Sequence, residues 1–304
     1  MMPAKLLHRL LIAPLPYIPQ SVVWQMSQRY IAGTNLDGAY ITVRDLNALG
    51  CSATVDVLGE DSTSLAEVET ARDLYLEALT GISEQLLDCN ASIKLSDMGL
   101  RFDTDLCYQV LETIVESAGR YGNFVRIDME DSSVTSITLD IYRKLREEHQ
   151  NVGTVIQSCL HRSKDDIQTL LDADIANIRL CKGIYVEPRE IAYTEPDDIR
   201  HSYQDLLLQL FEGGATKVGI ATHDPLLVEH AEKTIQRLKI DKSRYEFQML
   251  LGVAGTMRAR LVAEGHPLRV YVPFGERWHA YSMRRLRENP GIAMHIIRNL
   301  FTRS

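Results

Sequence analysis

The chain has 304 residues, 45% of them hydrophobic, and a formal net charge of -8. That is ordinary globular composition, enough for one large domain or two small ones, and an acidic balance with no basic block argues against a nucleic-acid binder. The five cysteines, Cys51, Cys89, Cys107, Cys159 and Cys181, are odd in number and lack C-x-x-C spacing, so they read as reduced thiols of a cytosolic protein with neither a metal site nor a disulfide framework.

The N-terminal stretch "KLLHRLLIAPLPYIPQ" places a basic residue before an apolar run. The run is short, broken by prolines and without a small-x-small cleavage site. It reads as an amphipathic arm packing on the protein, with peripheral membrane contact as the alternative, and not as a signal peptide. No stretch reaches the roughly 18 apolar residues of a spanning helix. Residues 1–46 read as a helical lead-in, its last helix "NLDGAYITVRDLNALG" running from a capping asparagine to Gly50.

From residue 52 the pattern alternates. Eight short apolar or β-branched runs follow one another: "ATVDVLG", "SIKLSDM", "FVRIDME", "GTVIQSC", "NIRLCKG", "KVGIATHD", "YEFQMLL" and "RVYVPFG". Segments of helical period lie between them, such as "SLAEVETARDLYLEAL" and "DPLLVEHAEKTIQRL". Strands alternating with helices predict parallel pairing, and eight units in about 250 residues is the size of a closed (β/α)8 TIM-type barrel over residues 47–304. An open doubly wound sheet is the alternative. No G-x-G-x-x-G follows the first strand, which counts against it.

The two-residue strand period sorts the side chains. Val125, Ile127 and Met129 point one way and Arg126 and Asp128 the other; Ile93 opposes Lys94, and Val270 and Val272 oppose Tyr271. Applied throughout, it sends Asp56, Lys94, Asp128, Gln157, Arg179, His223, Gln248 and Tyr271 into the barrel. Several stand near the C-terminal strand ends, where such barrels keep their active sites. Left unpaired, each buried polar group costs about 1–3 kcal/mol, so a large polar ligand at the mouth is the better account. After the last strand, "RWHAYSMRRLREN" sets Tyr281, Arg284, Arg285 and Glu288 on one helical stripe.

Together "SIKLS", "VRIDMEDS", "RLCKGIYVEP", "ATHD", "YEFQMLLG", "RVYVPFG" and "AYSMRRLREN" resemble the proline dehydrogenase family, in that family's order and over roughly residues 50–290. The lead-in resembles that of the monofunctional bacterial members, with no room for the aldehyde dehydrogenase domain of the bifunctional ones. The resemblance implies a distorted (β/α)8 barrel with FAD at its C-terminal mouth. It implies oxidation of L-proline to Δ1-pyrroline-5-carboxylate, with electrons passed to a membrane quinone and a separate pyrroline-5-carboxylate dehydrogenase acting downstream. By position, Arg284 and Arg285 match the pair that holds the substrate carboxylate. Tyr271, Tyr281, Lys94 and Asp128 match the proline pocket, and Glu60 matches a carboxylate that pairs with Arg284 and closes the site. Gln157, Arg179, Lys182, Gly183, Thr222, His223 and Gln248 match flavin contacts. Ile184 and Phe274 depart from the alanine and tyrosine of many relatives.

The chemistry assigns further roles. Adjacent guanidinium groups grip a carboxylate bidentately. Arg179, Lys94 and Asp128 are the expected catalytic residues, with Arg179 a positive charge beside the flavin and Asp128 paired to Lys94. Glu288 is expected on the flavin or orienting an arginine. Two alternatives stand: a lyase or aldolase forming a Schiff base on Lys94 or Lys182, and a non-catalytic binding barrel.

Overall fold

The computed structural model describes residues 20–59, 61–279 and 281–283. The arm before residue 20, Glu60, Arg284, Arg285 and Glu288 lie outside them.

Eight parallel strands close into one barrel in sequence order: β1 Ser52–Val57, β2 Cys89–Ile93, β3 Val125–Ile127, β4 Val152–Gln157, β5 Asn177–Cys181, β6 Lys217–Ala221, β7 Tyr245–Leu250 and β8 Leu268–Phe274. The seam pairs Thr54 with Tyr271 and Asp56 with Pro273. Helices α1 Gln20–Ser27 and α2 Leu36–Ala48 precede the barrel. Then α3 Leu65–Glu84, α4 Thr104–Arg120, α5 Thr135–Glu148, α6 Ser163–Asp172, α7 Pro196–Glu212, α8 Pro225–Leu238 and α9 Gly255–Ala263 follow the first seven strands in turn. The barrel reading of the sequence therefore holds.

Local chemistry explains the helix starts. Asn35, Ser64, Asp103 and Asp224 stand in extended backbone as N-caps, each side chain accepting from an amide of the first turn. Pro196 and Pro225 open their helices where no amide hydrogen is needed. One strand differs from expectation. "SIKLSDM" places the second strand over 92–98, but β2 runs Cys89–Ile93 and Lys94 is the first residue beyond it. Its Asn, Ala and Ser residues carry little β-propensity, so only the barrel context marks them as strand.

The apolar faces of strands and helices form one buried core, in which Leu36, Ala39, Tyr40, Val43 and Leu46 of α2 take part with the barrel residues. Helix α2 lies against β8 and β1, the outer place beside the seam. The chain after β8 instead turns at Gly275 (φ +132°) and brings Tyr281 over the C-terminal mouth. Among the described residues no helix is long and apolar enough to cross a membrane.

Candidate active site

A cavity of about 870 Å³ opens at the C-terminal ends of the strands, within the size range of ligand and cofactor sites. All eight polar residues that the strand period sends inward line it: Asp56, Lys94, Asp128, Gln157, Arg179, His223, Gln248 and Tyr271. Lys182, Gly183, Thr222 and Tyr281 line it as well.

Asp128 is the hub. Its Oδ1 accepts from Ser92 Oγ at 2.6 Å and Arg179 Nη1 at 2.6 Å, and its Oδ2 accepts from Tyr271 Oη at 2.8 Å. Arg179 also donates to Gln248 Oε1 at 2.5 Å, and its guanidinium lies 5.4 Å from the Tyr271 ring centroid. Burial, then the charges of Asp128 and Asp56, push the Tyr271 phenol well above its ordinary value, which keeps it an O–H donor.

The expected pairing of Asp128 with Lys94 is corrected. Lys94 Nζ donates to Asp56 Oδ1 at 2.7 Å. Both Asp128 oxygens are already engaged, so the long lysine arm reaches the neighbouring strand instead. Burial pushes the Asp56 carboxyl up to about 6 against the pull of Lys94. The same burial pulls the Lys94 ammonium down, but the carboxylates of Asp56 and Asp128 outweigh it and hold it above the ordinary lysine value.

On the β5–β6 side, Asp224 Oδ2 accepts from Lys182 Nζ at 2.6 Å and Arg200 Nε at 2.8 Å. Burial raises the Asp224 carboxyl, yet these two cations hold it at about 2. His223 accepts the Leu250 amide at Nε2, 2.9 Å, which leaves that nitrogen without a proton. Gln157 Nε2 donates to the Glu130 carbonyl at 2.8 Å. Gly183 has φ +101°, and a Cβ there would lie 2.3 Å from Cys159 Sγ and 3.1 Å from Gln157 Oε1, so only a bare backbone fits.

Both lysines considered for a Schiff base thus have their nitrogens engaged by carboxylates, and that of Lys94 is held as the ammonium rather than the free amine that such a nucleophile needs. Sequence reasoning passed over Asp56 as the partner of Lys94, although the strand period already sent it inward. It also missed Asp224, which "ATHD" displays only as a helix cap, and Arg200, which lies four residues into α7 and carries no local signal. Arg284 and Arg285, expected to hold the substrate carboxylate, and Glu60 and Glu288 fall outside the described residues. Tyr281 is buried against Tyr30, Ile31 and Leu58.

The chain is similar to known proteins in sequence and in fold. The family model described as proline dehydrogenase matches residues 39–296. Proline dehydrogenase 1 of Bacillus subtilis (strain 168) is 36% identical over 275 residues, 90% of either chain. Proline dehydrogenase of Deinococcus radiodurans is 33% identical over 299 residues, 96% of either chain. A crystal structure of proline utilization A from Bdellovibrio bacteriovorus has the same fold, with a TM-score of 0.82 at 24% identity, over 88% of this chain and 33% of that one.

Proposed function

The chain belongs to the proline dehydrogenase family and is an oxidoreductase of proline metabolism, and from that premise we propose that it is FAD-dependent, oxidises L-proline to Δ1-pyrroline-5-carboxylate and delivers the electrons to a membrane quinone. The observation that carries this reading is the single hydrogen-bonded wall of the cavity, Tyr271–Asp128–Arg179–Gln248.

The cavity suits a flavin dinucleotide. Lys182 and Arg200 present cations at its rim, where a diphosphate needs them, with side chains 35% and 30% exposed. The bare Gly183 backbone gives close approach, and Gln157, Thr222, His223 and Gln248 supply neutral polar groups. These residues would hold FAD, with Arg179 as a fixed positive charge. When bound, FAD would supply the two-electron acceptor for proline oxidation and the link to quinone.

The protein's share is position and charge. Arg284 and Arg285 grip the proline carboxylate. Tyr271, Tyr281 and Lys94 wall the ring. For C5–H to leave with its electron pair, the adjacent nitrogen must carry a free lone pair, and the guanidinium cluster disfavours an ammonium there. The product hydrolyses to an aldehyde, for which a separate dehydrogenase is the natural consumer. Membrane contact is peripheral in this reading.

The test is optical. Purified protein should show an oxidised-flavin spectrum that L-proline bleaches without oxygen, with stoichiometric pyrroline-5-carboxylate. A colourless protein, or a flavin that proline leaves oxidised, would count against it.

A further inference from the structure

The inner wall of the cavity carries two carboxylates and two cations, and the partition between them is not the one register suggests. Ile93 pairs with Ile127, so Lys94 and Asp128 follow at the same level. Lys94 nevertheless goes to Asp56, 1% exposed, while Asp128 serves Arg179, Ser92 and Tyr271. Asp56 is also incompletely satisfied. Its Oδ1 holds Lys94, and its buried Oδ2 has no hydrogen-bond partner within bonding distance among the described residues, the Tyr271 hydroxyl being a neighbour that draws the carboxyl down. A buried carboxylate with an incompletely paired oxygen is costly. Its effect is on Lys94. Without Asp56 the ammonium has Asp128 as its nearest carboxylate, and would compete with Arg179 and Tyr271 for two oxygens that are already engaged.

We propose that Asp56 is a positioning residue for proline oxidation: it holds the Lys94 ammonium on the β1 side of the pocket and reserves Asp128 for Arg179 and Tyr271. This rests on the function proposed above. Among the described residues the ionisable groups facing Asp56 are Lys94, Asp128 and Tyr271 in the barrel and Tyr75 from α3, and Lys94 also feels Glu130. Asp56 is the strongest of the charges that keep Lys94 protonated, while burial works against them. Neutralising Asp56 therefore releases the Lys94 proton at lower pH.

The test is kcat/KM for L-proline from about pH 6 to about pH 10, on purified flavin-loaded protein with dichlorophenolindophenol as acceptor and pyrroline-5-carboxylate as product. In Asp56→Asn kcat/KM should fall about tenfold across this range, mainly through KM, because the released ammonium competes for Asp128 wherever it is charged, and loss of the Lys94 proton should add to the fall only at the alkaline end. Flavin content should stay unchanged. Asp56→Ser, which leaves room for a water beside Lys94, should lower kcat/KM in the same sense and serves if the asparagine form does not fold. In a Lys94→Met background Asp56→Asn should change kcat/KM by less than about twofold, because the two residues act as one unit. A variant profile that overlays an active wild type overturns the inference alone, as does a further loss of about tenfold without Lys94. A wild type that makes no pyrroline-5-carboxylate overturns the proposed function and this inference with it.

Discussion

Tyr271 is fixed at both ends of its side chain. Its hydroxyl is bound to Asp128 at 2.8 Å, and the Arg179 guanidinium covers its ring. A phenol held so firmly is a wall and not a flap, and in the proposed pocket it would crowd a substituent on the proline ring. The protein should prefer L-proline to trans-4-hydroxy-L-proline by kcat/KM, and Tyr271→Ser should narrow the gap; equal efficiency of the wild type on both would contradict this. Gly183 makes a second residue-scale case. Alanine there suffers φ +101° and a contact of 2.3 Å with Cys159 Sγ. A left-handed or more extreme backbone costs a non-glycine residue about 1–3 kcal/mol, and the loop must shift at the cavity rim. Gly183→Ala should lose flavin on gel filtration while retaining its helical circular dichroism, and full flavin retention would refute the close-approach role. The two-residue period identified the eight inward polar residues, because side chains alternate along a strand and Lys94, Asp128 and His223 carry the alternation one or two residues past the strand ends. It did not identify which charges pair, because a lysine arm spans more than one strand spacing and its partner depends on what the other groups already bind.

At the level of elements, the loops at the mouth are tied to one another. Arg101 bridges Asp61 and Asp131 at 2.5 and 2.6 Å. Ser96 takes the Glu130 carboxylate on its amide at 2.9 Å, and Ser132 takes Glu187 on its amide at 2.7 Å. The loops after β1, β2, β3 and β5 thus form a connected rim on one side of the site. On the outside, α2 seals the seam by a close approach to α3. The Tyr40 hydroxyl donates to the Glu77 carbonyl at 3.3 Å, and a Cβ on Gly81 would fall 2.1 Å from that oxygen and 2.5 Å from the ring carbon bearing it. Alanine in a helix otherwise gains about 1 kcal/mol over glycine. Overpacking against a rigid ring costs about 1–3 kcal/mol, so Gly81→Ala should lower the urea midpoint, and a raised midpoint would show that α2 yields easily. The alternation of strands and helices and most helix caps were legible in the sequence. The limits of β2 were not, since its polar residues are strand only by virtue of their neighbours. Nor was the place of α2, which depends on the chain after β8 leaving the outer wall for the mouth.

Taken whole, the barrel is unusual below the cavity too. Such interiors are commonly filled by branched apolar side chains, but here Gln248 Nε2 donates to Glu246 Oε1 at 2.6 Å, Arg269 Nε donates to the same oxygen at 2.8 Å, and Arg269 Nη1 reaches the Ala53 carbonyl at 2.5 Å. The hydrogen-bonded wall of the active site therefore continues to a charged floor. The sequence shows this floor only as parity: Glu246 stands two residues before Gln248 and Arg269 two before Tyr271, and charges at such positions otherwise read as solvent-facing. The floor makes the fold sensitive to acid. Burial raises the Glu246 carboxyl, but the Arg269 guanidinium outweighs it and holds it at about 2 against an ordinary 4.5. A folded-state value depressed in this way contributes stability above the unfolded value and loses it as pH falls from 4.5 toward about 2. The amount is about 3 kcal/mol at neutral pH. Asp224, held at about 2 against 3.8, acts in the same sense. Asp56, raised to about 6, acts oppositely, since its folded form keeps a proton that the unfolded chain releases from 3.8 upward. Removing Glu246 leaves Arg269 buried without its carboxylate, so Glu246→Gln should cost about 3–5 kcal/mol at neutral pH. In acid the wild type loses the same charge by protonation. The stability gap between wild type and Glu246→Gln, read from urea melts at intervals between about pH 7 and about pH 3, should therefore close steadily below about pH 4.5. A gap that stays constant across that range would mean that the ion pair is not what makes the floor acid-sensitive.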